Sequence, residues 1–231
     1  MNRKLVAGAV LLPVLALVIA WGQDADRKAV QAKLAAIRQS IAQNQASLRT
    51  YAWTETKEVS IKGEVKKREQ ADCHYGPDGK LQKSPVGDTG GESSGEGKRG
   101  LKGKIGGKKV DELKDYLDRV GSLVSRYVPP SPQNMQTAFK AGKAAVDKET
   151  GELIFHDYVK SGDKFALQFD TAARKLRALL VDTYLDNPGD TVTLSAHFSS
   201  LADGTNFLEE SVLNGTAKQI QIKTTNFGHH K

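Results

Sequence analysis

The sequence predicts an α+β protein: a strongly curved antiparallel β-sheet (an unclosed barrel of about nine strands) covered by an N-terminal helix and two inserted helices. Three observations predict this class. Apolar residues recur at helical spacing over residues 24–48 and 110–127. Side chains elsewhere alternate in polarity at strand spacing. The connections are short and rich in glycine, asparagine and aspartate, as in antiparallel hairpins.

The N-terminus has the pattern of a secretion signal peptide. Arg3 and Lys4 precede an uninterrupted apolar run, residues 5–21, and small residues suited to a cleavage site lie at its end. We expect residues 1–22 to be removed and residues 23–231 to be periplasmic or secreted. The alternative is an inner-membrane anchor formed by the uncleaved run, which is slightly shorter than the about 20 apolar residues of a spanning helix.

Residues 23–231 are expected to form a single β-rich domain that begins with a helix over Asp24–Leu48. Apolar residues at spacings of three, four and seven give this helix one narrow apolar face. They are Val30, Leu34, Ile37, Ile41 and Leu48. We therefore expect the helix to pack on the sheet along that face.

Two groups of predicted strands flank a helical insertion. The first group comprises residues 51–61, 64–75 and 80–83, and the second comprises residues 153–158, 164–170, 175–185, 191–198, 205–213 and 218–225. Their residues alternate in polarity and are rich in β-branched and aromatic types. Between the last two strands, Asn214 and Gly215 predict a tight hairpin turn.

The insertion has two parts. Residues 87–108 are predicted to be a flexible segment, because glycine, serine and lysine dominate them. Residues 109–142 are predicted to hold two helices, the first ending before Pro129. Ser131 and Pro132 then predict the N-cap and first position of the second helix.

The insertion also contains the most concentrated basic patch of the chain. It consists of Lys98, Arg99, Lys102, Lys104, Lys108 and Lys109. The patch predicts contact with an anionic membrane surface or an acidic partner, and the alternative is a solvated loop. We expect no nucleic-acid partner, because the patch lacks aromatic residues and the net charge of +7 is modest.

We expect this protein not to be an enzyme and to have neither a cofactor nor a metal site. Ser93 lies in a G-x-S-x-G match and residues 95–100 match G-x-G-x-x-G, but neither follows the predicted strand that these motifs require. The histidines lack the spacing of zinc ligands. Cys73 is the single cysteine, so it is either a half-buried apolar residue or a partner in intermolecular pairing.

After the export signal, the leading amphipathic helix continues into Leu48–Thr56, Leu-Arg-Thr-Tyr-Ala-Trp-Thr-Glu-Thr. This combination, with helices inserted between an early and a late group of strands, resembles the periplasmic lipoprotein-carrier superfamily (LolA/LolB-like). The resemblance implies an unclosed, highly curved sheet lidded by helices, whose concave face holds lipoprotein acyl chains or lipid-like ligands. No cysteine lies near the cleavage site, so the chain resembles the soluble carriers of this superfamily rather than its anchored acceptors.

We therefore expect the protein to bind or carry a lipid, a lipoprotein acyl chain or another hydrophobic group on the concave face. Strand phase predicts the lining residues. They are Trp53, Phe165, Leu167, Phe169, Leu180, Tyr184, Val192, Leu194 and Phe198. The alternative function is a non-enzymatic cell-envelope scaffold or interaction protein that acts through its basic loop and surface.

Overall fold

The computed structural model describes residues 14–86 and 107–231, with side chains over 26–86 and 110–231. This part of the chain holds three α-helices and ten β-strands. The helices are α1 (Val14–Leu48), α2 (Gly107–Val124) and α3 (Pro132–Lys140). The strands are β1 (Ala52–Ile61), β2 (Glu64–Tyr75), β3 (Leu81–Pro85), β4 (Ala144–Val146), β5 (Leu153–His156), β6 (Lys164–Asp170), β7 (Lys175–Tyr184), β8 (Thr191–Ser200), β9 (Asn206–Gly215) and β10 (Ile220–His230).

All ten strands form one antiparallel sheet in the order β3-β2-β1-β10-β9-β8-β7-β6-β5-β4. The sheet is curved and is not closed, so β3 and β4 are its two edges. Pairing of β1 with β10 joins the early group of strands to the late group. The predicted α+β class, with an N-terminal helix and a curved, unclosed sheet, is confirmed.

The largest differences from the predicted elements are at the start of α1 and at β4. α1 already includes Val14, the first residue that the structure describes, and so extends ahead of the predicted Asp24; the apolar residues before Asp24 include good helix formers, and no proline interrupts residues 14–24. The prediction also omits β4, a three-residue strand. Three residues are too few to show an alternating pattern, and β4 is defined instead by its pairing with β5 at the edge of the sheet.

The start of α3 follows the predicted capping pattern. Ser131 has an extended backbone, and its hydroxyl accepts a hydrogen bond from the backbone N–H of Asn134 at 3.3 Å. Pro132 occupies the first helical position, where the missing N–H costs nothing. The local sequence therefore determines where this helix begins.

The three helices cover one face of the sheet, here called the inner face, and one hydrophobic cluster fills the space between them. Helix residues of this cluster include Val30, Leu34, Ile37, Tyr116, Val120, Leu123, Met135 and Ala138. Sheet residues include Leu153, Phe155, Phe165, Leu167, Phe169, Leu176, Leu179, Val181, Val192, Leu194, Ala196 and Ile220. The predicted apolar face of α1 is thus buried from Val30 to Ile37.

The side-chain phase predicted for β7 is wrong. Arg177 is an extra residue on β7, since Ala178 pairs with Gln168 and Leu176 pairs with the next residue, Phe169. This β-bulge reverses the alternation, so Leu179, not Leu180, lies in the core. Leu180 is 44% exposed on the opposite, outer face.

Tyr184 also lies on the outer face, because its neighbour Thr183 is buried on the inner face. The Tyr184 hydroxyl donates a hydrogen bond to the carbonyl of Ser161 at 2.9 Å, and the ammonium of Lys160 lies 3.9 Å from the ring centroid. Tyr184 therefore stabilises the loop before β6 and does not line the inner face.

The hairpin turn predicted at Asn214-Gly215 is displaced. Both residues belong to β9, Gly215 pairs with Ile220, and the turn follows Gly215. Gly215 has a packing role instead, because a Cβ atom there would lie 2.5 Å from the Tyr116 hydroxyl oxygen of α2. Glycine at this position lets α2 approach the sheet, and the Tyr116 hydroxyl donates to Asp190 at 2.8 Å.

Candidate functional site

The strand register aligns the inner-face side chains in rows that cross the sheet from β4 to β2. The central row comprises Val146, Leu153, Leu167, Leu179, Ala196, Ser211, Thr224, Lys57 and Glu69. The adjacent row comprises Ala144, Phe155, Phe165, Val181, Leu194, Leu213, Ile222, Val59 and Lys67. Both rows are apolar over β4–β8 and end in a charged residue on β2. The inner face therefore changes from apolar to charged from β4 towards β2.

The apolar half of the inner face is filled by the chain's own side chains. Phe165, Leu167 and Val192 are 0% exposed and belong to the cluster under the helices. Phe169 and Leu194 are also buried there, at 8% and 7% exposure. These five predicted lining residues therefore contribute to the core beneath α1, α2 and α3.

A second part of the inner face is apolar and only partly buried. It consists of Val59, Ile61, Phe198, Leu208, Leu213 and Ile222, which we call the inner strip. The strip lies on β8, β9, β10 and β1, beside the helix-covered core, and all of its members except Val59 pack against that core. Phe198 is the one predicted lining residue in it. The inner strip is thus a part of the inner face that is apolar and partly accessible.

Polar groups of the central row separate Phe198 and Leu208 from the rest of the inner strip. Ser211 and Thr224 face each other across β9 and β10, and Lys57 is directly opposite Thr224 on β1. All three are partly buried. Two hydroxyls and one ammonium therefore lie next to the apolar side chains, within reach of any molecule bound along the strip.

Trp53 lies further along the same face of β1 and belongs to a separate, smaller cluster. Its indole N–H donates to the side-chain oxygen of Asn226 at 2.9 Å, and its ring stacks on His229 at 5.7 Å between centroids. Burial, with a smaller contribution from the neighbouring His230, lowers the pKa of His229. Cys73 is fully buried directly opposite Trp53, so pairing with another chain requires exposure of its sulfur.

A buried carboxylate anchors the segment after α2 to the sheet. Asp163 is 2% exposed and accepts hydrogen bonds from the backbone N–H groups of Tyr158, Val159 and Lys160, at 2.5, 2.9 and 2.9 Å. The hydroxyl of Tyr127 donates to the same carboxylate. Burial raises the pKa of Tyr158 to about 12 and also raises that of Tyr127, so both phenols stay protonated at neutral pH.

Most of the predicted basic patch lies outside the described residues. Lys98, Arg99, Lys102 and Lys104 lie outside the described residues, as does Ser93. Lys108 and Lys109 lie in the first turn of α2, with side chains outside the described set.

A shallow depression of about 470 Å³ occurs near the turn between β9 and β10. Its lining includes the polar side chains of Ser60, Asn214, Thr216, Gln219 and Gln221. No residue of the inner strip lines it, so this depression is distinct from the candidate site.

The sequence prediction missed most of the inner strip. Leu208, Leu213, Ile222, Ile61 and Val59 were not among the predicted lining residues, although the alternation of Ile220 and Ile222 with polar neighbours was a usable signal. The pairing of β10 with β1 brings these side chains together. A pattern within one strand carries no information about which strand lies beside it.

Within residues 14–86 and 107–231, no helix is both long and apolar enough to span a membrane. Among the same residues, no three His, Cys, Asp or Glu side chains are grouped so that they could bind a metal ion. Comparisons with protein-family models, with curated proteins and with solved structures find no significant match for this chain.

Proposed function

We propose that this chain is an exported, non-enzymatic protein that binds or carries a lipid or other hydrophobic group against the inner face of its curved sheet. The observation that carries the proposal is the inner strip, six apolar side chains that the helices leave partly exposed. Residues 1–22, with their signal-peptide pattern, support export. The resemblance to the lipoprotein-carrier superfamily supports the same class of ligand.

Under this proposal the ligand contacts one part of the inner face only. Side chains under the helices are already in contact with each other, so a ligand there would have to displace α1 or α2. Along the inner strip a ligand adds contacts without removing any. Complete burial of an aliphatic or aromatic side chain is worth about 1.5–3 kcal/mol relative to full exposure, so covering one that is at most about a third exposed contributes at most about 0.5–1 kcal/mol.

A direct test is native mass spectrometry with lipid extraction on protein purified gently from the periplasm. We expect an acyl lipid or lipoprotein fragment to co-purify at a near-stoichiometric level, with a mass that identifies its class. A ligand-free mass, together with no binding of the uncharged dye Nile red, would contradict the proposal. That result would favour the scaffold alternative, in which the surface and the basic loop bind partners.

A matched pair of variants locates the site. Ile222→Asn places a polar amide in the inner strip, whereas Val212→Asn makes the same kind of change on the outer face of the neighbouring strand. We expect Ile222→Asn to weaken Nile red binding about fivefold, and Val212→Asn to leave it unchanged. Equal effects of the two substitutions would show that the dye binds elsewhere.

A further inference from the structure

We propose that the ligand of the inner strip is a fatty acid, and that Lys57 binds its carboxylate. This inference rests on the proposed function and specifies the ligand of the same site. Three observations support it. Lys57 lies at the β1 end of the inner strip, the neighbouring carboxylates are paired with other lysines, and Lys57 carries one positive charge.

Lys57 lies where the apolar and charged parts of the inner face meet. Along β1, Val59 of the inner strip is two residues away and on the same face. On the neighbouring strand, Thr224 is directly opposite Lys57, and Ile222 is diagonally adjacent. A long lysine side chain can lay its methylene groups on apolar neighbours and direct its ammonium outwards. The ammonium is therefore available at the border of the strip.

The carboxylates nearest to Lys57 on the inner face have their own cations. Glu69, directly opposite Lys57 on β2, pairs with Lys67. Glu55, two residues before Lys57, binds the ammonium of Lys83 through both of its oxygens, at 2.6 and 2.7 Å. Among the described residues, no carboxylate lies within ion-pair distance of Lys57. An anionic group of a ligand would therefore be a suitable partner.

The arrangement suits a single acyl chain with one negative charge. Lys57 supplies one positive charge, and the hydroxyl of Thr224, directly opposite on β10, can donate a hydrogen bond to the same carboxylate. From Lys57, the central row crosses β10 and β9 to reach Ala196 on β8, three strand spacings or roughly 14 Å away. An acyl chain about 14 Å long can therefore cover apolar side chains of the inner strip while its carboxylate binds the ammonium of Lys57.

The test compares two ligands that differ in charge, dodecanoate and 1-dodecanol, by displacement of Nile red from the full chain at pH 8. Lys57→Met keeps much of the apolar stem and removes the charge. We expect it to weaken dodecanoate binding about tenfold and to leave 1-dodecanol binding unchanged. Lys57→Arg, which retains the charge, should restore most of the dodecanoate affinity.

Lys223→Met is the matched control, because Lys223 lies next to Thr224 on β10 but points to the outer face, where it pairs with Glu210 at 2.8 Å. It should leave both affinities unchanged. Equal dodecanoate affinity in Lys57→Met and the wild type would overturn the role of Lys57 while leaving the proposed function standing. Failure of the wild type to bind Nile red and both ligands would refute the proposed function itself. An unchanged thermal unfolding midpoint verifies that each variant is folded.

Discussion

Replacement of Asp163 by asparagine tests whether one buried carboxylate holds the segment after α2 against the sheet. One carboxylate oxygen, Oδ2, accepts from Tyr127 and from the backbone N–H groups of Val159 and Lys160, while Oδ1 accepts from that of Tyr158. All four groups are donors. In either orientation of an asparagine amide, its NH₂ group therefore faces at least one of them.

The least costly orientation keeps the amide oxygen at the Oδ2 position and leaves one donor, the N–H of Tyr158, without an acceptor. A buried unsatisfied donor costs about 1–3 kcal/mol, and the three remaining hydrogen bonds lose the benefit of a charged acceptor. We therefore expect a loss of about 3 kcal/mol in the free energy of unfolding. For a domain of this size, that loss corresponds to a decrease in melting temperature of roughly 6–12 °C.

The assay is urea-induced unfolding followed by circular dichroism, with Asp157→Asn as the control. Asp157 is in the same loop and accepts the N–H of Gly162 at 2.7 Å, but its side chain is 39% exposed. Its backbone φ of 48° is one that asparagine also adopts readily. We expect the control to cost less than about 1 kcal/mol. Equal losses in the two variants would refute the reasoning that burial makes Asp163 important.

Two further predictions concern α2 and the end of β10. Gly215→Ala should lower the free energy of unfolding by about 2 kcal/mol, because the added methyl group displaces the ring of Tyr116. Gly121→Ala is the control. It lies at an open helical position and should be neutral or stabilising in the same unfolding assay. Burial lowers the pKa of His229, so its contribution to stability is complete above the ordinary histidine pKa of about 6.5 and is lost as the pH falls below that value. The fluorescence of Trp53, which stacks on His229, should change in that acid range. The change should be absent in His229→Gln. The same pH dependence of fluorescence in the wild type and in His229→Gln would contradict this assignment.

The sequence predicted the helices and the class of the fold because those features depend on local periodicity. The apolar spacing of Val30, Leu34 and Ile37 requires one buried helix face, and all three are buried. The pair Ser131-Pro132 likewise determines the start of α3 from neighbouring residues alone. Each signal acts within a few residues and does not depend on which strands are adjacent.

The candidate site was harder to predict than the fold class, because it depends on pairing between strands that are distant in the sequence. A single extra residue, Arg177, reverses the phase of β7 and moves Leu180 to the outer face. The position of Lys57 beside Ile222 follows from the register of β1 against β10, which no local pattern specifies. Strand phase therefore indicated an inner face but assigned several residues to the wrong part of it.

The pairing of β1 with β10 has a consequence for folding. Strands β1, β2 and β3 form a three-stranded antiparallel unit. This unit joins the rest of the sheet only through β10, which lies near the opposite end of the described chain. Contacts between such distant segments form slowly, because a long loop must close before any contact is gained. During synthesis the first three strands emerge long before β10, and their unpaired edge stays open to other chains until β10 is available to pair. Assembly of the inner strip, which includes residues from both segments, is therefore expected to be among the last steps of folding.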